Sequence, residues 1–193
     1  IIDSILSHKL GVSYNEKHFE YEKELTKHCL NLSSKIKKSG GENWLAKIKN
    51  SSGVIDLKTD KKFKPLLNWM HESAKLYSKN LGMLYKNKPY VPKIDGAWFN
   101  VYEKHNYQEY HKHSSILSSI YYLKGSLKDA RTFFKSNTYE SFPIEYKVTS
   151  DETGVVYHNC EPGKCLIFRG HLDHAVEQKI TDDLRITIAV NYV

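Results

Sequence analysis

From Ala97 onward the chain breaks into short runs rich in β-branched and aromatic residues: AWFNVY, SILSSIYYLK, RTFFK, YKVTS, GVVYHN, KCLIF and RITIAVNYV, with turn signals between them. Such residues fit a pleated, half-buried surface, and several short strands at close spacing close up as a sandwich, barrel or jelly roll. This feature restricts the second half to an all-β body. In the last run the alternation is explicit. Ile186, Ile188, Val190 and Tyr192 share one face, and Arg185, Thr187, Ala189 and Asn191 share the other, because successive side chains of a strand point to opposite sides.

Before YVPKIDG the pattern is helical. Tyr21, Leu25, Cys29, Leu32 and Ile36 recur at helical spacing behind Ser13-Tyr-Asn-Glu16, which fits a capping box, and Ser39-Gly40-Gly41 ends the run. Phe63, Leu67, Met70, Ala74, Tyr77 and Leu81 mark a second amphipathic helix, with Pro65 in its first turn and Gly82 closing it. VIDL, residues 54–57, reads as a short strand. The fold class expected is α+β, mainly β. Residues 1–95 form a helical support region of the same domain, packed on one sheet of a body spanning 96–193.

Composition bounds the partners. The net charge is +7, but residues 1–95 carry 18 lysines and 10 acids, whereas residues 96–193 carry 11 basic and 12 acidic residues. The excess is interleaved with acids, and arginine, the usual reader of bases, occurs only three times. A solvated lysine-rich face is the better reading than a nucleic-acid surface. No apolar run approaches the roughly 20 residues that span a bilayer. No signal-peptide pattern is visible, although the chain begins Ile1-Ile2 and targeting stays open. Cys29, Cys160 and Cys165 are too scattered for a disulfide framework, which favours a reducing compartment, the cytoplasm. Cys160 and Cys165 flank the tight turn EPGK, but the surroundings read as an ordinary strand pair rather than a redox site.

Of ten histidines, His8, His18, His28, His71, His105, His158 and His171 have no partner by spacing and are expected to be satisfied or at the surface. His111-Lys-His113 differs, because alternate strand residues can aim two imidazoles at one ion. Arg185, on the strand face opposite the apolar one, points into the β body. A buried guanidinium left unpaired costs roughly 3–5 kcal/mol, so it needs an anion: an internal Asp or Glu, or a ligand carboxylate. His174 follows the KCLIF strand and is expected on a loop at the rim. Two strand histidines, a rim histidine and an inward arginine beside Thr187 make a metal site with an acid receptor deeper in.

These elements resemble the iron(II)- and 2-oxoglutarate-dependent oxygenases, most closely a little-characterised branch from marine bacteria and their phages. The likeness runs in order through Trp98-Phe-Asn100, His111-Lys-His113, Ser118 to Tyr121-Tyr122, Pro162-Gly163 to Phe168, His174-Ala-Val176 and Arg185-Ile-Thr187. It implies a double-stranded β-helix, a jelly roll, with His111 and His174 as iron ligands and His113 where an aspartate usually stands. Arg185 and Thr187 would grip the distal carboxylate of 2-oxoglutarate, Tyr122 would add its hydroxyl, and Tyr102 would line the same pocket. The usual triad is two histidines and a carboxylate. Three neutral imidazoles leave the ion's charge uncompensated, which favours the dianionic co-substrate; Glu109 is the alternative third ligand. With oxygen, the implied reaction yields succinate and carbon dioxide and hydroxylates a prime substrate.

A second reading keeps the scaffold without turnover, as a cupin-like jelly-roll module that binds a sugar, an acid or a peptide. The coincidence of His111, His113, His174 and Arg185 favours the enzyme. A thiol-imidazole pair of Cys165 and His174 has nothing to activate it. Free proline, a prolyl peptide, another amino acid and a small metabolite all stay open as prime substrate, with loops such as 124–150 shaping its entrance. The 26 lysines against three arginines suit an AT-rich genome such as a phage's. Oligomeric state is not readable.

Overall fold

The alternating runs become two antiparallel sheets in the computed structural model, which describes residues 9–36, 48–135 and 155–193. The larger sheet runs β1 (Gly11–Tyr14), β10 (Lys164–Arg169), β7 (Leu117–Lys124), β12 (Arg185–Tyr192), β5 (Ile94–Tyr102) and β2 (Lys49–Asn50) in spatial order. The smaller runs β6 (Gln108–His111), β11 (Asp173–Val176), β8 (Thr132–Lys135) and β9 (Val155–His158). From β5 to β12 the chain crosses repeatedly between the sheets, which is jelly-roll topology. A two-strand hairpin of β3 (Leu84–Tyr85) and β4 (Lys88–Pro89) stands apart. Its turn residues Lys86 and Asn87 both have positive φ, as a two-residue hairpin demands.

Strand parity sorts the side chains as expected. Ile186, Ile188, Val190 and Tyr192 enter one core with Phe99, Tyr121, Leu123, Cys165 and Ile167. Helices α1 (His18–Ser33) and α2 (Lys64–Asn80) cover that sheet face, adding Leu25, Cys29, Leu67, Met70 and Ala74. The opposite face looks between the sheets, where Tyr122, Leu166 and Phe168 pack on Phe134 of β8. Pro65 lies in the first turn of α2, and Gly82 ends it at φ 59°, a left-handed conformation that favours glycine. No helix among the described residues is long and apolar enough to cross a membrane.

Several local expectations are corrected. Ser13 does not cap a helix: it pairs with Cys165 in β1, and α1 starts four residues after Tyr14. Asn15 makes the turn instead, its Oδ1 accepting from the Lys17 N–H. VIDL is no strand. Asp56 accepts from the Lys58 N–H, and a 3₁₀ turn over Leu57–Thr59 follows, because a side-chain acceptor offers the backbone an alternative to a ladder. Cys160 and Cys165 lie in different cores, and all three cysteines are free. Burial pushes the Cys165 thiol up to about 12, which removes its thiolate character at neutral pH. Ser39-Gly40-Gly41 and the run YKVTS lie outside the described residues.

Candidate metal centre and acid receptor

His111 ends β6, and its Cα partner across the ladder is His174 on β11. His174 is therefore a strand residue, 2% exposed, and not a loop histidine at the rim. Antiparallel pairing brings these two imidazoles together, with ring centroids 4.1 Å apart. His113 lies two residues beyond His111, just past the end of β6, where its N–H donates to Gly170 O at 2.7 Å. Its ring sits 5.1 Å from His174 and 5.4 Å from His111. One nitrogen from each of the three lies within 4.8 Å of the others, and Glu109 is not in this cluster.

Hydrogen bonds select the nitrogen each imidazole presents. His111 Nδ1 faces Glu109 O at 2.8 Å and His174 Nδ1 faces Leu172 O at 2.9 Å. A carbonyl only accepts, so both Nδ1 atoms carry the proton and both Nε2 atoms are bare. Gln108 supports this for His111. Its Oε1 accepts from the Tyr102 hydroxyl at 2.8 Å, leaving its amide N–H to face His111 Nε2 at 3.4 Å. Burial holds all three imidazoles below the ordinary value, His113 at about 4 and His174 well below. They are neutral donors at neutral pH, as metal ligands must be.

Beside them opens a cavity of about 430 Å³, lined from both sheets by residues that include Trp98, Asn100, His111, His113, His174 and Arg185. Arg185 is fully buried on β12. Its guanidinium donates to Ala130 O and to Thr132 Oγ1, and lies 4.8 Å from the Tyr102 ring and 5.8 Å from that of Tyr122. Among the described residues no carboxylate bonds to it. Two acids act on it electrostatically without bonding to it: Asp129 is paired with Lys179 at 3.0 Å, and Glu177 is held by Arg131. Among the described residues Arg185 Nε has no hydrogen-bond partner, and the buried Tyr122 hydroxyl has Thr132 beside it without a well-formed hydrogen bond. A buried guanidinium N–H without a partner is what an incoming carboxylate would satisfy.

The sequence-predicted residues therefore gather, with differences in role. Thr187 lines the cavity; its hydroxyl accepts from Asn100 at 3.2 Å and shares a hydrogen bond with the Tyr102 hydroxyl. The Tyr102 hydroxyl is engaged by Gln108, so this side chain offers Arg185 its ring. Tyr122 is buried behind the cavity surface. Sequence reasoning missed Gln108, and also Asn191, which accepts from His113 Nδ1 at 2.6 Å. The alternation of β12 already placed Asn191 on the Arg185 face.

The fold and site define a jelly-roll protein with three converging imidazoles, a candidate metal centre, beside a buried arginine. Residues 96–191 match the family described as "Putative 2OG-Fe(II) oxygenase", and the chain belongs to the iron(II)- and 2-oxoglutarate-dependent oxygenases. No curated protein matches it. Among solved structures it is similar to a Trichoplax adhaerens prolyl hydroxylase in complex with a hypoxia inducible factor oxygen degradation domain peptide fragment. That likeness has a TM-score of 0.62 and 14% identity over 95% of this chain and 82% of the other. HygX from Streptomyces hygroscopicus, with nickel, 2-oxoglutarate and hygromycin B bound, gives 0.62 and 11% over 96% and 83%. A Pseudomonas putida prolyl-4-hydroxylase gives 0.57 and 12% over 96% and 88%. At such identities these likenesses show the fold alone.

Proposed function

We propose that the protein is an iron(II)- and 2-oxoglutarate-dependent dioxygenase that hydroxylates a prolyl or peptide substrate or a small metabolite. The single observation that carries this is three converging imidazoles beside a buried guanidinium that has no carboxylate partner among the described residues. His111, His113 and His174 would hold the iron, each offering the ring nitrogen that is not tied to an acceptor. The donor set fits, because imidazole suits iron and every ring has its other nitrogen tied to an acceptor. Bound there, iron(II) supplies the redox chemistry that couples decarboxylation of 2-oxoglutarate to oxidation of a substrate C–H bond.

The chain's own residues do the rest. Arg185 receives the distal carboxylate of 2-oxoglutarate, with Thr187 and Tyr122 as hydroxyl donors. Tyr102 keeps the guanidinium in place from its flank. Trp98, Ile120, Val176 and Ala189 supply the apolar part of the cavity wall. With no carboxylate among the ligands, ion and arginine together attract the dianion more strongly than a mixed triad would. Substrate size is bounded by the cavity, and the crystallised relatives act as precedents for peptides and small molecules alike.

The test is succinate release from 2-oxoglutarate by protein reconstituted anaerobically with iron(II), beside His174→Ala and Arg185→Ala. Iron-dependent release lost in both variants is expected. Retention of 2-oxoglutarate without turnover would instead leave a ligand-binding module.

A further inference from the structure

His113 is the ligand whose orientation the backbone does not set. His111 and His174 each turn Nδ1 to a main-chain carbonyl two residues earlier. His113, past the end of its strand, turns Nδ1 to a side chain, Asn191 Oδ1 at 2.6 Å. That oxygen also accepts from the Ser118 hydroxyl at 2.8 Å, and Ser118 in turn contacts Ser115 at 2.8 Å. Asn191 is fixed from both sides because its β12 backbone pairs opposite Ser118 of β7 and Gly96 of β5. The Trp98 indole stacks on the His113 ring, 5.5 Å away at 26°. Stacking sets the plane of the imidazole, and the amide sets its rotation within that plane.

We propose that Asn191 is the positioning residue for the third metal ligand: its Oδ1 holds His113 in the Nδ1–H tautomer and turns Nε2 toward His111 and His174. This rests on the metal-binding reading above. Asn191 takes the place a carboxylate often fills behind a ligating histidine. As a neutral acceptor it fixes the tautomer without adding charge, so the ion keeps its full attraction for an anion. The serine pair keeps the amide from rotating: with its oxygen bonded to Ser118, a flip would set an N–H against His113 Nδ1.

The test uses the full chain, cobalt(II) as probe and no turnover. In metal-free wild type, long-range ¹H–¹⁵N correlation is expected to show His113 protonated at Nδ1; protonation at Nε2 would overturn the proposal with no variant needed. Asn191→Leu should weaken cobalt(II) binding roughly 10- to 100-fold, and Asn191→Asp, which keeps the acceptor, should bind at least as tightly as wild type. In a His113→Ala background Asn191→Leu should add almost nothing. An equal loss in that background would mean a merely structural role and overturn the proposal, as would wild-type affinity in Asn191→Leu. Failure of the wild type to bind cobalt(II) or iron(II) at all would instead remove the metal-binding reading itself.

Discussion

Arg185 is a buried charge whose hydrogen-bond partners among the described residues are all neutral. Desolvating an ion costs several kcal/mol, while hydrogen bonds to it return roughly 1.5–3 kcal/mol each, so this residue contributes little net stability to the ligand-free protein. Arg185→Met should therefore leave the melting temperature of ligand-free protein unchanged or higher, and should abolish its rise with 2-oxoglutarate. Thermal melts with and without the co-substrate check both halves; a steep loss without ligand would mean that Arg185 is satisfied internally. The histidines add a pH dependence. His18, buried against the Tyr121 hydroxyl at 2.8 Å, is held below the ordinary imidazole value by burial, as are His111, His113 and His174. The folded state thus binds fewer protons than the unfolded chain, whose imidazoles titrate near 6.5. Their contribution is complete above about pH 6.5 and fades as the pH falls toward about 4, where His113 protonates. Metal-free protein melted between pH 7.5 and 4.5 should lose stability steadily below about pH 6.5, and a flat profile would contradict this burial.

At the scale of elements, β5, β7, β8, β10 and β12 were legible because β-branched and aromatic residues alternate along them. The same alternation placed Arg185 and Thr187 inside. Strand β11 was not legible: Asp173–Val176 carries two polar residues in four, and it becomes a strand because β6 and β8 pair with both its edges. Strand β1 was masked by Ser13 and Glu16, which satisfy a capping pattern while the ladder to β10 claims Ser13. The three imidazoles were legible as types, but not their shared tautomer, since the acceptors come from main-chain carbonyls and from the far end of β12. One turn controls the third ligand. Gly170 accepts from His113 N–H and donates to Ile116 O, and a Cβ there would collide with the Ser115 carbonyl. Gly170→Ala should force the 113–116 segment outward, costing about 1–3 kcal/mol and weakening metal binding through His113. Chemical denaturation and cobalt(II) titration of the same sample measure the two effects; wild-type metal affinity would show that the segment relaxes without moving the ligand.

Over the whole molecule, the proposal that residues 1–95 support the β body within one domain rests on a shared core. Leu25, Cys29, Phe63, Leu66, Met70 and Ala74 from the first part are buried in one cluster with Phe99, Tyr121, Leu123, Ile167, Ile186, Ile188 and Val190 from the second. Polar contacts cross the same boundary, the Tyr192 hydroxyl reaching Met70 O at 3.2 Å. Residues 1–95 also supply both edge strands of the larger sheet, β1 and β2. Fully burying one large apolar side chain is worth about 1.5–3 kcal/mol. Uncovering only five on the sheet would cost roughly 8–15 kcal/mol, as much as the entire stability of an ordinary domain. The segment 96–193 is therefore expected not to stand alone, although it carries every proposed ligand and the whole acid receptor. Expressed by itself it should aggregate or show the exposed apolar surface of a molten state, and should bind neither cobalt(II) nor 2-oxoglutarate. The full chain should unfold in one cooperative transition, with probes in α2 and in β12 melting together. A soluble 96–193 fragment with native metal affinity, or two separated transitions in the full chain, would overturn the one-domain proposal and divide the molecule into separate units.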